Sequence, residues 1–97
     1  MAKYVVLVDW TDQGVRSAKD TVTRLEQARE VFGKKGISFE SVYWTLGRHD
    51  MVAVLDAPDD ATVAAALMQL GSAGNVSTET LRAFSAEEMS GILQHLG

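Results

Sequence analysis

Asp50 and His49 are the residues of this sequence best suited to chemistry. They stand side by side at the end of Tyr43-Trp44-Thr45-Leu46-Gly47-Arg48-His49-Asp50, directly before the apolar run Met51-Val52-Ala53-Val54-Leu55. A carboxylate at the entrance of an apolar strand loses water on burial, which raises its pKa unless a donor or a cation holds it ionised. Arg82 and the hydroxyls of Thr45, Thr78 and Thr80 are the groups able to do so. Histidine, here His49, is a side chain able to act as a base or a ligand. Asp50 as base, with Arg82 or His49 steadying an oxyanion, is the catalytic reading of these residues. Plainer readings compete with it. An aspartate beside a tight turn commonly ties down loop amides, and a lone histidine with no second ligand at useful spacing is a poor metal site. Tyr43, Trp44, Thr45, Thr78 and Thr80 are the candidate ligand-binding residues, although aromatic rings more often fill a core or an interface. Trp10 shares that ambiguity, and His95 is expected to be solvated.

Other chemistries find no support. Gly71-Ser72-Ala73-Gly74-Asn75 follows a helix instead of preceding one, so its amides do not form a phosphate cradle. No nucleophile elbow and no metal-ligating cluster is present, and the expectation is a protein without metal or cofactor. The net charge is −4 and the basic residues are scattered, with only Lys34 and Lys35 adjacent. Nucleic acid is therefore not an expected partner. The absence of cysteine excludes disulfides, thiolate nucleophiles and sulfur-ligated metals. Residues 4–8 form too short an apolar run for a signal peptide, and no run approaches a membrane span, so a soluble cytoplasmic protein is expected.

The elements that must position these residues follow from periodicity. The length of 97 residues allows one domain, spanning 1–97, and 46% apolar with 23% charged residues is a globular balance. Residues 4–8 are valine-rich and read as a buried strand. Thr11-Asp12-Gln13-Gly14 is loop chemistry. Val15, Ala18, Val22, Leu25, Ala28 and Phe32 then recur at helical steps, and Lys34-Lys35-Gly36 terminates that helix. Residues 37–46 read as the second strand and residues 49–56 as the third. A two-residue turn at Gly47-Arg48 would set Leu46 against His49, Thr45 against Asp50 and Trp44 against Met51. His49 would then share a face with Trp44, and Asp50 the other face with Tyr43. Pro58 and Asp59 open a second helix at 61–70 that Gly71 stops, and 75–84 is a fourth strand with polar residues on both faces. Ser85-Ala86-Glu87-Glu88 is a capping box that starts a terminal helix.

The order βαββαβ plus a short C-terminal helix specifies an α+β, ferredoxin-like fold with a four-stranded antiparallel sheet. Both helices of that fold cover one sheet face. The first and third strands nevertheless lack a polar face, since Val5 and Leu7 are as apolar as Val6 and Val8, and Val52 and Val54 as apolar as Ala53 and Leu55. A second copy packed sheet to sheet is the expected cover, burying about 600–800 Å² of apolar surface for roughly 15–20 kcal/mol gross. The alternative cover is the terminal helix folded beneath its own sheet.

The chain resembles the GYD-domain family of the dimeric α/β-barrel superfamily. The resemblance rests on Thr11-Asp12-Gln13-Gly14, on Tyr43 to Asp50, on Asp56-Ala57-Pro58-Asp59, and on Gly74-Asn75-Val76-Ser77-Thr78-Glu79-Thr80-Leu81-Arg82-Ala83-Phe84. Gly47-Arg48-His49-Asp50 carries histidine where the family signature has tyrosine. The resemblance implies a ferredoxin-like fold and sheet-to-sheet homodimers, and it supplies no activity. The expected function is an oligomeric module that binds a small molecule or another protein. The alternative is a cofactor-independent enzyme of the monooxygenase or isomerase type, working in a pocket between sheet and helices or at the dimer barrel. That alternative rests on analogy of fold. A purely structural assembly protein is the third possibility.

Overall fold

Burial alternates strictly along β1 (Ala2–Trp10) and β3 (Met51–Ala57), and this sets the plan of the molecule. In the computed structural model, which describes residues 1–97, these two strands form the centre of an antiparallel sheet ordered β2-β3-β1-β4, with β2 at Ser38–Trp44 and β4 at Val76–Ala83. Tyr4 pairs with Leu55, Val6 with Ala53 and Val8 with Met51. This buried face packs beneath α2 (Thr21–Gly33) and α3 (Asp60–Ser72), whose Phe32, Val63 and Ala66 complete the core with Ile37. The chain thus forms the expected α+β, ferredoxin-like sheet. No helix is long and apolar enough to cross a membrane.

Local chemistry ends the elements. Gly36 takes φ +80 after α2. Ile37 N–H bonds Phe32 C=O and Gly36 N–H bonds Gly33 C=O, the paired bonds of a glycine-terminated helix. Asp59 caps α3 by accepting the Thr62 amide at 2.8 Å. The Thr62 hydroxyl and amide hold the Asp59 carboxyl below the usual aspartate range.

Four expectations need correction. The segment read as a loop at Thr11-Asp12-Gln13-Gly14 contains a short helix, α1 (Asp12–Arg16), capped by the Thr11 hydroxyl. The helix predicted to run on from Val15 is broken at Ser17 into α1, a 3-10 turn (Ala18–Asp20) and α2. Arg24 holds that break by reaching back to the carbonyls of Ser17 and Gly14, which leaves Val15 and Val22 exposed. The hairpin is wider than two residues: the strands stop at Trp44 and Met51 and residues 45–50 connect them, with Gly47 at φ +107. Finally, α3 continues through Gly71, and the chain turns at Gly74 with φ +85.

The terminal helix α4 (Ala86–Leu93) starts on the expected capping box, with Ser85 and Glu88 bonded in both directions. It does not fold under the sheet. None of its residues is buried, and the chain as a whole extends 51 × 31 × 19 Å. The radius of gyration, 14.6 Å, exceeds the roughly 12.5 Å expected of a compact domain this size.

Candidate functional site

Three of the segments that carry the family resemblance converge at the C-terminal end of β1. Thr11 donates its amide to the Asn75 carbonyl (3.1 Å) and its hydroxyl to the Gly74 carbonyl (2.6 Å). Gln13 Nε2 donates to Ala73 O and Asn75 Oδ1, both at 3.0 Å. Gly14 is pressed so close that a Cβ there would lie 1.9 Å from the Asn75 carbonyl oxygen. Glycine at position 14 is therefore a requirement of contact: it lets the backbone of α1 lie against the start of β4.

The hairpin loop locks onto the same end. Asp50 Oδ2 accepts the Trp10 amide at 2.8 Å, and the Asp50 amide donates to Val8 O at 2.9 Å. Thr45 donates its amide to Asp50 O (2.9 Å) and its hydroxyl to His49 O (2.6 Å). Asp50 thus bonds a backbone amide at the end of the neighbouring strand and not an amide of its own loop. His49 Nδ1 lies 3.1 Å from Asp9 Oδ1. Asp9 alternates with Leu7 and Val5 on the helix-free face. His49 therefore does not join Trp44 and Met51 as the tight turn implied, because side-chain alternation does not carry through a six-residue connection. Trp44, opposite Met51, donates its indole N–H to the Thr21 hydroxyl at 3.0 Å.

Arg82 stands elsewhere. It pairs with Tyr4, while Asp50 bonds to Val8, so about 13 Å of strand separates them at roughly 3.3 Å per residue. The Arg82 guanidinium lies 4.6 Å from the Phe84 ring centroid and 5.5 Å from that of Tyr4, and it donates to the Lys3 and Ala83 carbonyls. With Tyr4, Asp60 and Thr80 it lines a shallow cleft beside α3. The Tyr4 hydroxyl donates to the Asp60 carboxylate, and that bond together with burial pushes its pKa up. Thr78 and Thr80 face Val8 and Val6 on the helix side of the sheet. One chain therefore does not bring Asp50, Arg82 and the β4 threonines into a single constellation.

The second candidate region is the helix-free face. Val5, Leu7, Val52, Val54 and Leu81 line up there with Tyr43, which is 63% exposed, and no helix covers them. Charged side chains rim it: Lys3 with Glu40 and Asp56 at one end, Asp9 with His49 at the other. The solvent-accessible surface of the chain is 6312 Å². A folded monomer of 10.5 kDa is expected to expose about 5,400 Å². The excess, on the order of 900 Å², is close to the ~800 Å² that one partner contributes to a standard protein interface.

Arg24, Gln13 and Asn75 were not among the candidate site residues: Arg24 reads as a solvated helix face, and Gln13 and Asn75 enter only as part of the family resemblance. The one available signal was Gly14, a glycine set inside a helix start without a turn to require it.

The chain is similar to a protein of Thermus thermophilus named glutamine synthetase and cystathionine beta-lyase binding protein, at 32% identity over 90 residues, covering 92% of this chain and 95% of the relative. No solved structure matches. A family model for the GYD domain matches residues 4–93, which takes in the α1 clip, the hairpin loop, both sheet faces and all of α4, and the chain therefore belongs to the GYD-domain family.

Proposed function

We propose that this protein is a binding module whose work is protein association: two copies pack through their helix-free faces, and the assembled module binds a metabolic enzyme. The observation that carries this reading is the uncovered apolar face together with a surface excess the size of one half-interface. A face of branched aliphatics rimmed by charges has the composition of an interface core and its rim. The enzyme partner is inferred from the relative, whose name states that it binds glutamine synthetase and cystathionine beta-lyase. Once the sheet faces are joined, α4 remains as a second apolar surface. Phe84, Met89, Leu93 and Leu96 are all exposed there, with the Arg82 guanidinium stacked on the Phe84 ring. The alternative of a cofactor-independent enzyme, with Asp50 as base and Arg82 or His49 steadying an oxyanion, has less support: Arg82 lies at the far end of β1 from Asp50, and His49 Nδ1 lies against Asp9.

Light scattering of the purified chain tests the first half, with a dimer or larger mass expected. Leu7→Glu, at the middle of the open face, is expected to give a monomer with an unchanged helix and strand spectrum. Biolayer interferometry with purified glutamine synthetase and cystathionine β-lyase tests the second half. Leu93→Glu is expected to abolish capture while the oligomer persists. A monomeric wild-type chain that captures neither enzyme would overturn the proposal.

A further inference from the structure

The helix side of the sheet is not completely filled. Between α2 and α3, which meet only sparsely along their length, lies a cavity of about 90 Å³. Its walls are Val6, Val8, Leu25, Phe32, Leu67 and Leu70. Its polar lining is Trp10, Arg24 and Asn75, near the C-terminal end of β1, with Thr21 of α2. We propose that this cavity binds a small monocarboxylate with a short aliphatic or aromatic tail.

The wall argues for the tail. Thirteen of the 16 lining residues are hydrophobic, and an apolar cavity of this kind stays dry and accepts an apolar guest, as one of about 150 Å³ accepts benzene. The polar lining argues for the head group. Arg24 bonds only the neutral oxygens of Ser17 and Gly14, and no carboxylate forms an ion pair with it. Asn75 Oδ1 accepts from Gln13, and Thr21 Oγ1 accepts from Trp44 while keeping its own O–H to donate. Arg24 Nε, the Asn75 amide N–H groups and the Trp10 indole N–H are donors of lining residues with no acceptor in the chain. A ligand acceptor with several lone pairs and a negative charge matches such donors beside a guanidinium that has no counter-ion; an amine or an alcohol matches them less well. The site lies on the opposite side of the sheet from the proposed docking face, so it stands or falls separately from that reading.

Calorimetric titration and ¹H–¹⁵N spectra with butanoate, pentanoate, hexanoate and benzoate test the proposal, with 1-hexanol and hexylamine as controls. The expected result is saturable binding that moves the Trp10 indole and Arg24 Nε resonances. Affinity should tighten about fourfold per added methylene until the cavity is full, with 1-hexanol at least about tenfold weaker than hexanoate. Arg24→Gln should remove that tenfold preference. Because Arg24 also braces α1, Ala28→Phe provides a second variant that fills the cavity from α2 and should abolish binding of every member of the series. The proposal is overturned if no carboxylate saturates the Trp10 shift up to about 10 mM, if 1-hexanol or hexylamine binds as tightly as hexanoate, or if Ala28→Phe in its folded form leaves the affinity unchanged.

Discussion

The two faces of this sheet are made of nearly the same residues and meet opposite surroundings. Tyr4, Val6, Val8, Met51, Ala53 and Leu55 are at most 9% exposed. Val5, Leu7, Val52 and Val54 are their immediate chain neighbours, equally aliphatic, and they face no helix. Residue type does not separate the faces. Connection does: right-handed crossovers lay both α2 and α3 on the same side, and four strands plus two helices exhaust the chain's means of covering itself. Apolar alternation reports which residues must be buried. It does not report whether the same molecule buries them.

The largest expected effect sets neighbours from the two faces against each other. Leu55→Ala should cost about 3 kcal/mol in urea unfolding, since the side chain is 1% exposed and the site cannot collapse around the gap. That loss should be independent of protein concentration. Val54→Ala, one residue away on the open face, should cost less than about 1 kcal/mol at high dilution. Its cost should grow as concentration rises, because association stabilises the folded chain by mass action. A concentration-independent loss at both positions would dissolve the distinction between the faces.

Next in size is Gly14→Ala. The added methyl would collide with the Asn75 carbonyl, which also accepts the Thr11 amide. Loss of about 2 kcal/mol is expected, as for other forced overpacking, and it should appear in the melting temperature. Gly33→Ala is the matched control, with nothing within contact distance of the new carbon.

These two sites also mark what could be read in advance and what could not. Strand identity, the order of elements along the chain and the α3 and α4 caps followed from alternation, from valine-rich runs and from Asp59 and Ser85, because each is a local preference the fold leaves intact. Ser17 did not follow. The periodicity of Val15, Ala18 and Val22 favours one helix, and the break is imposed by Arg24 and by the distant Gly74 and Asn75, which no local pattern reveals. Residues 45–50 failed for a related reason. Asp50 binds β1 as well as Thr45 at the start of the connection, so the loop opens to reach across to β1. The candidate site was legible residue by residue, yet its assembly depended on register. Arg82 and Asp50 both border β1, and only the pairing of β4 shows them to be four residues apart.

Asp50 gives the third effect. Asp50→Ala removes the acceptor of the Trp10 amide and should cost about 1 kcal/mol. Asp50→Asn should cost less, because the amide oxygen can still accept. Thermal unfolding of both variants checks the ranking. An aspartate acting as a base would behave differently, with Asn keeping stability while losing turnover.

The smallest effect on global stability is expected at α4, and its smallness is informative. The Ser85 amide bonds the Glu88 carboxylate and holds its pKa below the usual glutamate value. A lowered pKa means that the charged form is favoured in the folded helix. Its contribution is therefore complete above the ordinary value of about 4.3 and fades as pH falls through the lower, folded value. Carbon chemical shifts of α4 should accordingly lose helical character on acidification, while those of α3, capped by Asp59, serve as a reference packed into the core. Ser85→Ala should weaken the helix at neutral pH and blunt that pH response. Because α4 packs on nothing in its own chain, the melting temperature should stay within error of the parent's. If α4 is the surface that meets an enzyme, capture should weaken while the oligomer's mass is unchanged. A melting temperature that falls with α4 helicity would instead place this helix against the second copy, and would move it from the enzyme-facing side of the comparison to the side of the open sheet.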